Sequence, residues 1–349
     1  MIIAFLYSQY GKGTDAGNNL IIDEIHDPRS VIPLRMTPLV LLGTLATHLF
    51  GGSAGREGTA VQMGASLADQ FTTVFRLDSE DRKLILMAGM SAGFGSVFGT
   101  PLAGAIFGLE VLSIGRMRYS ALLPCFAAAI IADRVCLSWG ITHTHYSVAI
   151  LPAVTALNLL YALIAGVCFG LCAYLFSWSM HKATKIFKNS IPSPLLRAFV
   201  GGILVIISAT ILQTTRYLGL GVPVLVESFA LQVPPYDFIL KLIFTVVTLS
   251  SGFKGGEVTP LFFIGATLGN ALSFVLPLHY SLLASMGFVA VFAGAANTPL
   301  ACTLMALELF GTTPAVFAAI ACVASYLFSG HSGIYHAQRL EVRKYAEKN

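Results

Sequence analysis

Two acidic residues stand where acids rarely stand. Glu57 lies in "GGSAGREGT" (Gly51 to Thr59) and Glu257 in "GFKGGEVTP" (Gly252 to Pro260), each a glycine-rich interruption between apolar stretches. A charge at the centre of a membrane-spanning helix costs about 2.5–3.5 kcal/mol even on the lenient insertion scale, so such carboxylates are functional candidates. Glycines let a small ion approach bare backbone amides, and a helix N-terminus carries the equivalent of about +0.5 charge, so each break is suited to holding an anion. An ionised Glu57 competes for the same amides and leaves them when protonated. The chemistry these residues support is therefore the exchange of an anion for a proton at one site. The competing readings are ion pairs, Glu57 with Arg56 and Glu257 with Lys254, and glycines that only allow close helix packing. Neighbouring residues at a helix start point in different directions, which weakens the Arg56 pair.

The elements that must position these groups are helices in a bilayer. The chain has 349 residues, 56% apolar and 11% charged, with a mean hydropathy of +0.77, whereas soluble domains are about 25% charged. No Asp, Glu, Lys or Arg falls between Lys83 and Glu110, between Arg134 and Lys182, or between Glu257 and Glu308. Each run reaches the roughly 20 residues of a spanning helix. The chain reads as an all-α polytopic membrane protein, with no signal peptide evident. A net charge of +4 is too diffuse for nucleic acid. Basic residues at Lys182, Lys185, Lys188 and Arg197, at Arg116 and Arg118, and in the tail "RLEVRKYAEKN" place those segments on the cytoplasmic side. The six cysteines, including Cys168 and Cys172 four apart, read as packing residues, and no metal or cofactor is implied.

The sequence also repeats itself. "TPLAGAIFGLEVL" from Thr100 returns as "TPLACTLMALELF" from Thr298, "MGASLA" from Met63 as "IGATLG" from Ile264, and, more weakly, "GNNLI" at Gly17 as "GLGVP" at Gly219. Duplicated halves of a transporter place the substrate site at the repeat interface near the bilayer midplane. The expected organisation is a first repeat over 1–148 and a second over 149–349. The apolar stretch from Ala149 to Met180 has no counterpart in the first copy, so the symmetry predicts that about 50 N-terminal residues are missing from it. Glu110 and Glu308 end matching helices in the two copies and read as structural. "GMSAGFGSVFGTP" (Gly89 to Pro101) and "GAANTP" (Gly294 to Pro299) are expected to interrupt helices as the two acidic segments do, and "HTH" at His143 to His145 to be a solvated loop.

With these residues in hand, the chain resembles the CLC anion channels and transporters. "GNNLI", "GREGT", "GGEVTP" and the tyrosine of "SGHSGIY" (Tyr335) follow the family's order and approximate spacing over essentially the whole chain. The resemblance implies two inverted-topology repeats per protomer, here apparently lacking the first helices, and a homodimer with separate pores. It implies a central anion among helix N-termini, with Glu57 as gating glutamate and proton carrier, Tyr335 as central tyrosine and Asn18 in the usual serine position. Thr59 replaces a proline and Val258, flanked by Glu257 and Thr259, replaces a phenylalanine of the chloride-type motifs. This combination is similar to the bacterial fluoride/proton antiporter branch, where the extra glutamate and threonine take part in ion coupling. Val111 after Glu110 fits that branch's lack of a separate inner proton-transfer glutamate.

Fluoride is small and strongly hydrated, so a site selecting it must replace water with compact, charge-assisted donors. Asn18, Thr259 and Tyr335 supply polar groups, and Gly55, Gly256 and Val258 supply backbone amides. The expectation is a multi-pass protein of the bacterial inner membrane that exports fluoride against protons. A chloride channel or chloride/proton exchanger of the same family, or an inactive membrane subunit, are the alternatives. An enzyme is not expected, since no Ser–His, Cys–His or His-Glu-x-x-His spacing accompanies the acids. Thr259 or Asn18 as a helix cap, and Tyr335 as an interfacial anchor, are the bland readings.

Overall fold

Helices carry about two thirds of the chain. The computed structural model describes residues 1–345. Its helices are α1 (Ile2–Tyr10), α2 (Asn18–His26), α3 (Met36–Leu49), α4 (Glu57–Phe75), α5 (Ser79–Phe98), α6 (Pro101–Glu110), α7 (Leu122–Ser138) and α8 (Ala156–Ser190). They continue as α9 (Pro194–Ile211), α10 (Val222–Ala230), α11 (Asp237–Ser250), α12 (Val258–Leu272), α13 (Tyr280–Ala296), α14 (Pro299–Phe310) and α15 (Thr312–Phe328). Two short parallel strands, β1 (Ser113–Ile114) and β2 (Arg339–Leu340), fasten the tail to the loop after α6.

Helix lengths decide which segments span. The Tyr119–Ser138 segment, α8 and α9 are long and apolar enough to cross a bilayer, whereas α12, α13 and α14 have 15, 17 and 12 residues. A 15-residue helix is only about 22 Å long, less than a hydrocarbon core. The charge-free run from Glu257 to Glu308 is thus three short helices, not one or two uniform spans. Backbone breaks at that depth are tolerated because protein surrounds them: every residue of α13 after Tyr280 is buried. A helix apolar all round is a central one.

The glycines divide between two jobs. Those of the Gly89–Pro101 stretch do not interrupt a helix as expected, because α5 runs continuously to Phe98 and breaks only at Gly99. Gly89 instead lies against the backbone of Gly64, and Gly93 against that of Ala60, leaving no room for a Cβ. Gly265 and Gly287 make the corresponding contact between α12 and α13. Close packing wins there, as small-residue interfaces in membranes do. The second stretch does break, at Asn297, which takes left-handed φ 57 at the end of α13.

Paired pins hold the two halves in related ways. Asp69 of α4 accepts a hydrogen bond from Ile32 N at 2.7 Å, and Asn270 of α12 accepts one from Val233 N at 3.1 Å. Both fix the loop after a nine-residue helix, α2 or α10. In the first half, buried Arg82 adds two bonds to Asp69 at 2.8 Å each and one to Glu24 at 2.9 Å. It thereby clamps α2, α4 and α5 together. Glu110 accepts from Leu300 N (3.0 Å) and Ala301 N (2.8 Å), while Glu308 accepts from Leu102 N and Ala103 N, both at 2.9 Å. Each acid satisfies the orphan amides of the other half's Thr-Pro-Leu-Ala helix, in keeping with the structural reading of both.

Candidate anion and proton site

The two acidic turns meet head to head. Gly55 and Gly256 form an isolated antiparallel bridge, Gly55 N donating to Gly256 O at 2.6 Å and Gly256 N to Gly55 O at 2.8 Å. Only glycine fits there. A Cβ on Gly256 would lie 2.8 Å from Gly58 N, and one on Gly55 would strike the Glu57 carboxylate. This overturns one expectation: the Gly55 and Gly256 amides are consumed by each other and are not donors to an anion. Their role is to bring the N-termini of α4 and α12 together.

Glu57 fills the space so created. It is 2% exposed; its Oε2 accepts from Arg56 N at 3.0 Å and Thr259 N at 3.2 Å, and its Oε1 accepts from the Thr259 hydroxyl. The first amides of a helix have no intrahelical partner, and here the Thr259 amide of α12 is given to a carboxylate from the other half of the chain. Thr259 therefore does not cap its own helix. No ion pair joins Glu57 to Arg56 among the described residues; the Arg56 side chain is exposed and lines a cavity on one side of Glu57.

That cavity is also lined by His143, Tyr146, Leu220, Phe262 and Thr259. The sequence missed two of these. His143 is half-buried, its Nε2 hydrogen-bonded with Ser96 O at 2.9 Å, so the "HTH" loop is docked and not merely solvated. Tyr146 packs on Phe229, Phe288 and Phe310. Nothing in the local composition of that loop signals docking, because its partners are distant in sequence.

A second cavity gathers Asn18, Gln62, Glu257 and Tyr335. Asn18 is buried and is the first residue of α2, behind Gly17 at φ 59, so it is not the cap. Its Oδ1 has no partner among the described residues, and its Nδ2 faces Gly58. Tyr335 is 5% exposed, too deep for an interfacial anchor. Val258 is buried at the start of α12. Half-buried Glu257 does not pair with Lys254, whose ammonium lies 3.7 Å from Asp15 and 3.8 Å from the Tyr7 ring. Thr59 sits apart, sharing a hydrogen bond of 2.6 Å with Thr44 between α3 and α4. Gln62, one turn beyond Gly58 on α4, also went unread in the sequence.

Comparison with known proteins places this arrangement. Residues 1–330 match the voltage gated chloride channel family. The chain belongs to that CLC family. A relative from Pseudomonas syringae pv. tomato described as a chloride/fluoride channel protein is 58% identical over 344 residues, covering 97% of this CLC chain and 76% of the relative. A solved CLC-type fluoride/proton antiporter superposes with a TM-score of 0.94 at 37% identity, covering 97% of this chain and 86% of that one. A cyanobacterial chloride/proton antiporter shares the fold, with a TM-score of 0.82 at 21% identity. This CLC chain is thus a multi-pass membrane protein of an anion-transport family, not of an enzyme class.

Proposed function

We propose that this chain is a fluoride/proton antiporter of the bacterial inner membrane, working as a homodimer and using the inward proton gradient to expel fluoride. One observation carries the reading. The Glu57 carboxylate occupies the N-terminus of α12, held by the Thr259 amide and hydroxyl, and lines one cavity, while Glu257 at the start of the same helix lines another. An ionised carboxylate in that place excludes a competing anion. Protonation removes the charge that the amides favour, and the side chain yields the position to fluoride. Thr259, Asn18 and Tyr335 then offer compact polar groups to the ion, with Val258 backing the same turn, while Glu257 tunes coupling from the Asn18 side.

The named likenesses to a chloride/fluoride channel protein and to a fluoride/proton antiporter support the choice of fluoride. So does the polar lining. Weakly hydrated chloride needs less dense donation than fluoride does. Lys185 and Lys188 line a cavity that also touches Glu257 and Ile334, supporting a cytoplasmic position for that side of the site. The test is direct. Purified protein in fluoride-loaded vesicles should release fluoride in preference to chloride, with proton uptake in fixed proportion. Chloride moving as fast as fluoride, or fluoride moving without protons, would replace this reading with a chloride exchanger or a channel.

A further inference from the structure

The segment that carries Tyr335 is fastened at its far end by one lysine. Lys344 Nζ reaches Asn297 Oδ1 (2.5 Å), Tyr326 O (2.7 Å), Gly330 O (2.5 Å) and Ser329 Oγ (3.1 Å), and lies 4.1 Å from the centre of the Tyr326 ring. The Tyr326 carbonyl belongs to the last turn of α15 and Gly330 lies two residues past its end, where orphan acceptors and the helix dipole both favour a cation. Its backbone amide donates to His331 Nε2 at 3.2 Å, and the His331 ring packs on Tyr345. No carboxylate shares this cluster among the described residues.

Asn297 ties that cluster to the rest of the tail. Its Oδ1 accepts from Lys344 while its Nδ2 donates to Gln338 Oε1 at 2.9 Å, and Gln338 Nε2 donates to Ala296 O at 2.8 Å. Ile334 N donates to Ala295 O at 2.8 Å, and Ala337 N donates to Asn19 Oδ1 at 3.0 Å, beside Asn18. Tyr335 sits between these last two anchors. The left-handed turn at Asn297 therefore aims one side chain at two points of the tail, and the tail spans the ends of α13 and α15.

We propose that Lys344 is a positioning residue for Tyr335: its latch onto Asn297 and the end of α15 holds the tail closed and fixes the tyrosine in the Asn18 cavity. The inference rests on the reading that this cavity admits the transported anion. A single polar cluster centred on Lys344, nine residues from Tyr335, thereby sets how well the site holds its ion, without touching the ion itself.

Lys344→Met keeps an unbranched side chain of all but the terminal atom's length and deletes the ammonium. Trypsin cleavage after Arg339, followed by mass spectrometry, tracks the population of opened tail when opening is fast relative to cutting. Loss of a charge-assisted cluster should raise that rate about tenfold or more. In vesicles, the KM for the halide that the unaltered protein moves should rise by several-fold with maximal rate little changed, and Lys344→Arg should restore both readouts. Faster cleavage with unchanged KM would show that the latch holds the tail but not Tyr335 and would overturn the proposal, as would no change in either. If Lys344→Met fails to fold, Gln338→Leu, which removes the adjacent stitch, gives the same comparison. Absence of fluoride transport by the unaltered protein would instead remove the fluoride reading; the KM for chloride then tests the latch.

Discussion

Replacing Thr259 by Val isolates the contact that joins the two halves of the site. The change swaps a hydroxyl for a methyl at nearly constant volume and leaves the Thr259 amide in place, so Glu57 Oε2 keeps its bonds from Arg56 N and Thr259 N. Only the hydroxyl bond to Oε1 is lost. Glu57 is 2% exposed, so water does not replace the donor. A bond to a charged group contributes about 1.5–3 kcal/mol, and each 1.4 kcal/mol is about a factor of ten. The carboxylate should therefore vacate its position roughly ten- to a hundredfold more readily. On the proposed mechanism the gate is loosened but not removed. Fluoride efflux from vesicles, measured with a fluoride electrode alongside proton uptake, should show more fluoride moved per proton than in the unaltered protein. The decisive arm is a double-mutant cycle with Glu57→Gln. Once the carboxylate is gone, Thr259→Val should change coupling no further. Strictly additive effects would refute the claim that Thr259 acts through Glu57.

Three further outcomes follow from the same geometry. Glu57→Gln removes the titratable charge at constant size, so residual fluoride flux should lose its dependence on pH and proton uptake should fall to leak; a retained pH profile in paired flux assays would exclude Glu57 as proton carrier. Glu110→Gln turns one of the two acceptor oxygens into an NH2 donor, leaving either the Leu300 or the Ala301 amide without an acceptor, and should lower stability by about 1–3 kcal/mol, read as a lower melting temperature in detergent with coupling intact. Gly265→Val drives a side chain into the Gly287 backbone, where overpacking costs about 1–3 kcal/mol or more; loss of monodisperse protein by gel filtration is expected, whereas exposed Leu196→Val should be tolerated.

Much of the site was readable because its chemistry contradicts its surroundings. Glu57 and Glu257 stood out as acids in apolar, glycine-rich sequence, and Asn18, Thr259 and Tyr335 followed from motif order. Their actual contacts were not readable. That the Gly55 and Gly256 amides bond to each other depends on two segments about 200 residues apart meeting in register, which no local pattern encodes. His143 and Gln62 were missed because a docked loop histidine and a glutamine on an apolar helix have ordinary composition. The glycines of α5 misled for the opposite reason. Small residues serve both breaks and tight packing, and only the neighbour helix decides between them.

The amino-acid sequence by itself determined the solvent, the helical class and the family, since hydropathy, charge depletion and motif order are one-dimensional properties. Tertiary structure alone decided which helices are too short to span, which amides are spent, and that Glu57 lies on the start of α12. The reason is physical: a carboxylate's role depends on the donors around it, and those donors come from another part of the fold.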